Sequence, residues 1–139
     1  MAALGTRTLV ISIGATDYTN QMSKAVITSG ESDSDFVSFA DAASGGAREY
    51  RLEFTAVQDL VAATLWDLIF TGAGTTVAYL LKPYGNATAT PSQPHFSGNA
   101  IVTEPDGDFL GGEADSSATA KMLVEPSWVC TGKPVRIVA

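Results

Sequence analysis

The residues in this chain that could do chemistry are mostly carboxylates, and they are clustered. Glu31, Asp33, Asp35 and Asp41 fall in one stretch, and Glu104, Asp106, Asp108, Glu113 and Asp115 in another. Nine of the fifteen carboxylates therefore sit in two segments that contain no Lys or Arg. The second stretch invites a calcium reading. An EF-hand loop, however, needs Asp-x-Asp-x-Asp-Gly with a Glu at its twelfth position, and that spacing is missing. A nonspecific cation site or, more simply, a solvated acidic loop remains. No spacing singles out a pair of carboxylates for glycosidase-type acid–base work. His95 is the one histidine and Cys130 the one cysteine, and the chain has no CxxC, HExxH or GxSxG. A triad or a zinc site would need partners that these two residues lack. His95, in Gln93-Pro94-His95-Phe96, reads as a surface or interface residue, and Cys130 as a small core residue. Gly72-Ala73-Gly74 and Gly111-Gly112 lack the Lys-Ser/Thr of a phosphate loop and read as turn glycines. Asn86-Ala87-Thr88 matches a glycosylation sequon, which has meaning only on a secretory route. The expectation is a protein that is not an enzyme and that uses no cofactor and no metal.

Composition agrees with an assembling part. The chain has 139 residues, 45% of them hydrophobic and only 17% charged, which fits one globular domain spanning 1–139. Much of the surface must then be Ser, Thr, Ala and Gly, and another subunit can cover it with little charge to desolvate. The net charge of −7 opposes binding to DNA or to anionic membranes. No stretch approaches the ~18 apolar residues of a membrane span. No basic segment leads into an apolar run at the start, which predicts a chain without a secretory signal, made in a reducing cytoplasm.

The elements that must position these residues are mostly strands. Arg7–Ile13 and Gln21–Ser29 read as the first two, with a turn between them. Residues 29–47 form a long excursion, loop-like in composition but interrupted by Phe36, Val37 and Phe39. Arg48–Ala56 alternates cleanly, with Tyr50, Leu52, Phe54 and Ala56 on one face and Glu49, Arg51, Glu53 and Thr55 on the other. The period then changes to helical. Asp59 reads as the N-cap, Val61, Leu65, Leu68 and Ile69 form one sheet-packing stripe, Trp66 and Phe70 flank it, and Gly72 ends it. This predicts one flanking helix over about 60–71. Val77–Leu81, apolar on both faces, reads as a central strand. His95–Thr103 and Thr119–Cys130 read as later strands around the acidic loop 104–117, with Pro126 marking an edge or bulge. Pro134–Val138, with Arg136, forms a short apolar tail.

Several pieces occur in an order that matches a known family. Leu52-Glu53-Phe54-Thr55-Ala56-Val57-Gln58-Asp59 leads into Thr64-Leu65-Trp66-Asp67-Leu68. Lys82-Pro83-Tyr84-Gly85-Asn86 and Pro94-His95-Phe96 follow. Gly107-Asp108-Phe109-Leu110-Gly111-Gly112-Glu113-Ala114 comes next, and Trp128 with Thr131-Gly132-Lys133-Pro134 closes the series. From about Lys24 onward the chain resembles the tail tube (major tail) proteins of long non-contractile-tailed bacteriophages, the siphovirus type, particularly those of actinobacterial hosts. These are structural motifs, and their order and spacing carry the likeness.

The resemblance implies a mainly β fold: a β-sandwich, barrel-like, with one flanking helix, similar to the tube protein of type VI secretion. It implies homo-hexameric rings stacked into a hollow tube in the virion tail, through which the DNA genome passes during ejection. The implied partners are other copies of the chain, then the tape measure, tail terminator and distal tail proteins, with no membrane. Carboxylates in such a bore would repel phosphates, where basic residues would bind them. Glu49, Arg51 and Glu53 are the lumen-facing candidates, Arg51 being suited to pair with an acid of a neighbouring subunit. Phe36, Val37, Phe39 and Arg136 are the candidates for contact between subunits or rings, with the terminal segments 1–6 and 133–139 behind them. A head-decoration or minor tail protein, or a soluble β-sandwich binding module, are the alternatives.

Overall fold

The computed structural model describes residues 3–32, 36–44 and 48–139. Met1, Asp33, Asp35 and Gly46, which figure in the expectations above, lie outside the described residues. Nine strands and two α-helices follow one another along the described chain. β1 is Val10–Ile13, β2 Thr16–Asp17, β3 Met22–Glu31, α1 Phe39–Ala43, β4 Arg48–Val57 and α2 Leu65–Gly72. β5 is Thr76–Lys82, β6 His95–Ile101, β7 Leu123–Val124, β8 Ser127–Val129 and β9 Val135–Ile137. One sheet runs β2-β1-β5-β6-β9; the other runs β3-β4-β7, with β8 also on β4. Every pairing is antiparallel.

β4 organises the second sheet. Leu52, Phe54 and Ala56 are buried to 2% exposure or less, as the alternation requires. Leu52 stands opposite Ile27 of β3 and Trp128 of β8, so three strands place side chains in one layer of the core. Phe54 meets Trp128 edge to face, with ring centroids 4.8 Å apart. From the first sheet Ile11, Ile13, Tyr79 and Ala100 complete the same core. The two sheets are stitched at one corner, where Ala100 bridges to Cys130 and the Thr131 N–H donates to the Asn99 carbonyl at 3.0 Å. The mainly β, two-sheet architecture expected from the sequence is therefore present, and β5 is the middle strand of its sheet as expected.

Several local expectations fail for identifiable reasons. The helix begins at Leu65, not near residue 60. Thr64 is its N-cap, accepting from the Asp67 N–H at 3.3 Å, while the Asp67 carboxylate accepts from the Ala63 N–H at 3.1 Å. Asp59 instead closes a tight turn by accepting from the Val61 N–H at 3.2 Å. Val61 thus lies before the helix and is exposed, whereas Leu65 and Ile69 are fully buried and Leu68 packs at the core margin. The left-handed residue after the helix is Gly74, at φ +90°, rather than Gly72. A second helix, α1, lies inside the 29–47 excursion, of which Ser29–Glu31 still belong to β3. The expected strand Thr119–Cys130 is broken at the buried Pro126 into β7 and β8, and Thr119–Met122 is not strand. Proline has no N–H for the ladder, so pairing with β4 stops and restarts around it.

His95 is buried at 5% exposure, contrary to a surface role. Its Nε2 lies 3.0 Å from the Asn86 carbonyl and holds the 86–95 loop against the sheet. Cys130 is buried, as expected of a small core residue. Beside it the Tyr79 hydroxyl has no hydrogen-bond partner among the described residues. Burial pushes both the Tyr79 phenol and the Cys130 thiol above their ordinary pKa ranges. Tyr79 lies over Gly98, its cross-strand partner, so closely that a methyl there would stand 2.6 Å from the hydroxyl oxygen.

Two outcomes follow. Gly98→Ala should destabilise the fold by about 1–3 kcal/mol through overpacking, read as a lower urea midpoint; an unchanged midpoint would refute the Tyr79–Gly98 fit. The second concerns pH. The folded chain keeps protons on Cys130 and Tyr79 that the unfolded chain loses above its ordinary values of about 8.5 and 10. Their contribution is thus complete below about pH 8.5 and declines as pH rises through and beyond that window. Tyr79→Phe should leave neutral-pH stability equal or higher, because it deletes an unpaired hydroxyl, and should flatten the alkaline decline. Thermal melts from pH 7 to 11 test this, and a steeper decline in the variant would contradict it.

Candidate functional site

Most of the candidate residues are on the outward face of the β4 sheet and on the two segments at its ends. The alternation that buries Leu52 and Phe54 turns Glu49, Arg51 and Glu53 away from the core, where they are half-buried among neighbours. Glu49 stands opposite Gly30, Arg51 opposite Thr28 and Val129, and Glu53 opposite Val26 and Ser127. Arg51 donates from Nη2 to Glu49 Oε1 at 3.5 Å, the only ion pair among the described residues. The sequence left Arg51 free to pair with another subunit. Its partner here is two residues away on its own strand, which reduces the positive charge of that face without involving a neighbour.

The loop 104–117 wraps from the end of the sandwich onto this same face, and neutral contacts hold it there. Trp66 of α2 donates from Nε1 to the Phe109 carbonyl at 2.8 Å and packs its ring 5.3 Å from that of Phe109. Phe70, otherwise exposed, stacks on Trp66 at 5.2 Å. Gln58, just past β4, accepts from the Gly111 N–H at 2.8 Å and donates to the Gly111 carbonyl at 2.9 Å and the Leu123 carbonyl at 3.0 Å. One amide side chain therefore fixes both backbone groups of a glycine fifty-three residues away.

Between this loop and the β4 face lies an open concavity of about 710 Å³. Glu104, Asp106, Asp108, Glu113 and Glu125 line it, against Arg51 and Lys121. Asp115 is exposed farther along the loop. No group of three or more His, Cys, Asp or Glu converges to hold a metal ion among the described residues. His95 and Cys130 are not part of its wall. What the concavity offers is a dense, solvated negative surface on a fixed backbone.

The contact candidates lie apart from it. Phe36, Val37 and Phe39 are 76%, 54% and 97% exposed, at the end of the β3–β4 hairpin. Phe39 opens α1, whose start is fixed by a reciprocal cap: Ser38 Oγ accepts from the Asp41 N–H at 3.1 Å, and Asp41 Oδ2 accepts from the Ser38 N–H at 3.3 Å. Arg136 is exposed on β9, an edge strand of the first sheet, and donates to the Pro91 carbonyl at 3.3 Å. Sequence reading missed Gln58 and the Trp66–Phe109 contact. A polar residue after an alternating strand carries no sign of a partner so distant in sequence. No helix among the described residues is long and apolar enough to cross a membrane. No protein-family model matches the chain, and no curated protein matches it significantly.

Gln58→Ala should release the loop while leaving the sheets intact. Loss of one such bond, worth about 1 kcal/mol, corresponds to several-fold faster exchange, so the Gly111 amide should exchange roughly five- to tenfold faster. Hydrogen exchange measured residue by residue checks this, and protection at Gly111 equal to that of the parent chain would refute the anchoring role.

Proposed function

We propose that this chain is a tail tube subunit of a long-tailed bacteriophage, assembling through stacked hexameric rings into the hollow conduit for the genome. One observation carries the reading. The β3–β4 hairpin is ten residues long on each strand, β3 pairs with β4 alone among the described residues, and its connecting segment projects three exposed apolar side chains. A long open edge and solvent-facing Phe36, Val37 and Phe39 are liabilities in a monomer. In stacked rings, neighbouring subunits cover both. The two-sheet fold with a flanking helix is compatible with the tail-tube and type VI tube architecture that the sequence resembles.

On this reading the outward β4 face, with Glu49 and Glu53, turns toward the bore. The loop 104–117 contributes its carboxylates to the same surface, because Gln58 and Trp66 hold it beside that face. A phosphate chain would meet repulsion rather than a basic binding track, and would pass without lasting contacts. Further tail proteins, at the tube ends and inside it, are the remaining partners, and the virion tail is the place of action.

Electron microscopy of the purified chain tests the proposal. Long hollow tubes are expected. Phe36→Asp should give a folded monomer that does not polymerise. Tubes of normal length from that variant would overturn the contact assignment, and discrete trimers from the parent chain would favour a decoration protein instead.

A further inference from the structure

A second concavity lies at the opposite end of the same hairpin from the exposed phenylalanines. It encloses about 330 Å³ between the segment 5–9 and the start of β3. Leu9, Ile11, Met22 and Ala25 give it an apolar floor, and Arg7 and Lys24 bring two cations, with no carboxylate in its wall. Neither cation forms an ion pair among the described residues. A chain of net charge −7 with only eight Lys and Arg has thus placed two of them, unpaired, around one apolar groove. β3 is also irregular here, with a register shift between Met22 and Lys24 that bends the strand edge.

The segment at the other end has the complementary character. Phe39 is the most exposed large apolar side chain described, and the capped turn of α1 fixes how it is presented. Glu31 and Asp41 flank it, with Asp33 and Asp35 between them in sequence and no cation among them. We infer that the groove lined by Leu9, Met22, Arg7 and Lys24 is the receptor for the Phe39-bearing acidic segment of a second copy of this chain. The segment does not fill its own groove, because Phe39 stands 97% exposed. Lys24 and Glu31 are also separated along β3 by seven rises, roughly 24 Å. A knob at one end of a hairpin and a hole at the other make a heterologous, head-to-tail contact, which propagates without closing on itself in a dimer. The acidic concavity beside β4 is excluded as the receptor by its own five carboxylates.

This inference deepens the tube reading and rests on it: it names the surface through which one subunit grips the next along the tube. The test is site-specific cross-linking with single added thiols, Ser23→Cys at the groove and Ala40→Cys on α1, both exposed positions. The native Cys130 is buried and stays silent. Oxidation of a mixed assembly of the two variants should yield the covalent heterodimer, and the double variant should yield a ladder. Lys24→Glu should raise the concentration needed to polymerise by about tenfold. Tubes in which the two thiols never join overturn the groove assignment and leave the tube reading standing. Cross-links confined to small discrete oligomers support the groove and overturn the tube. A parent chain that does not self-associate at any concentration overturns both.

Discussion

The register of β4 is the constraint on which most of the molecule depends. It is hydrogen-bonded on both edges, to β3 along nearly its whole length and to β7 and β8 on the other side. Side chains alternate with a period of two, so a slip of one residue would turn Leu52, Phe54 and Ala56 outward. The same slip would drive Glu49, Arg51 and Glu53 into a core that also holds Trp128, where an ion pair and a lone carboxylate would lose their solvation. Hydrophobic burial and charge solvation therefore select one register together. That register sets more than the core. It places Gln58 at the strand's exit within reach of Gly111, and so determines where the acidic loop lies.

The same pairing leaves the outer edge of β3 open among the described residues. Soluble proteins usually protect such edges with short strands, prolines, inward charges or covering loops. Here the edge strand is ten residues long, and its guards sit at its two ends: a bulge near Met22 and the exposed Lys24 at one, the exposed Glu31 at the other. The middle of the strand, from Val26 to Ser29, carries no charge. An edge guarded only at its ends leaves its middle open to pairing. On the tube reading this suits neighbours that arrive in a defined orientation, because the two ends carry opposite charges.

How much of this could be read from the sequence differs from element to element. β4 was legible because its alternation is strict over the eight residues from Glu49 to Ala56 and no Gly or Pro interrupts it. β5 was legible as a central strand, although Ala78 on its outer face is exposed. The start of α2 was misplaced because Asp59 and Val61 fit a helical stripe. The signal that decides it, Thr64-x-x-Asp67, was present, and so was the matching Ser38-x-x-Asp41 that opens α1. At α2 the side-chain cap overrides apolar periodicity, since it satisfies N–H groups that the stripe leaves unpaired; at α1 it starts a helix where no periodicity shows one. The break at Pro126 was visible as an irregularity but not as two separate strands, because both pair with β4. The seating of loop 104–117 was not legible at all. Its anchors, Gln58 and Trp66, act across more than forty residues.

The way that loop is anchored bears on what its charge can do. Five carboxylates could have been fixed by salt bridges, yet each bridge would have cancelled the charge it fixed. The contacts that hold the loop are instead an amide to a glycine backbone, an indole N–H to a carbonyl, and a stack of three aromatic rings. Position comes from neutral groups, and the five carboxylates stay exposed, with no ion pair among the described residues. Screening limits their reach to about 8–10 Å at physiological salt, so scattered charges on a mobile loop would act weakly on a passing polyanion. Carboxylates held on a rigid backbone, next to a β4 face whose one cation is already paired, keep their field within that distance of the surface. On the tube reading this is the property a bore requires. The wall must stay negative where DNA comes close, and the loop's anchors hold its carboxylates there without ion pairs that the DNA's own counterions would compete to break.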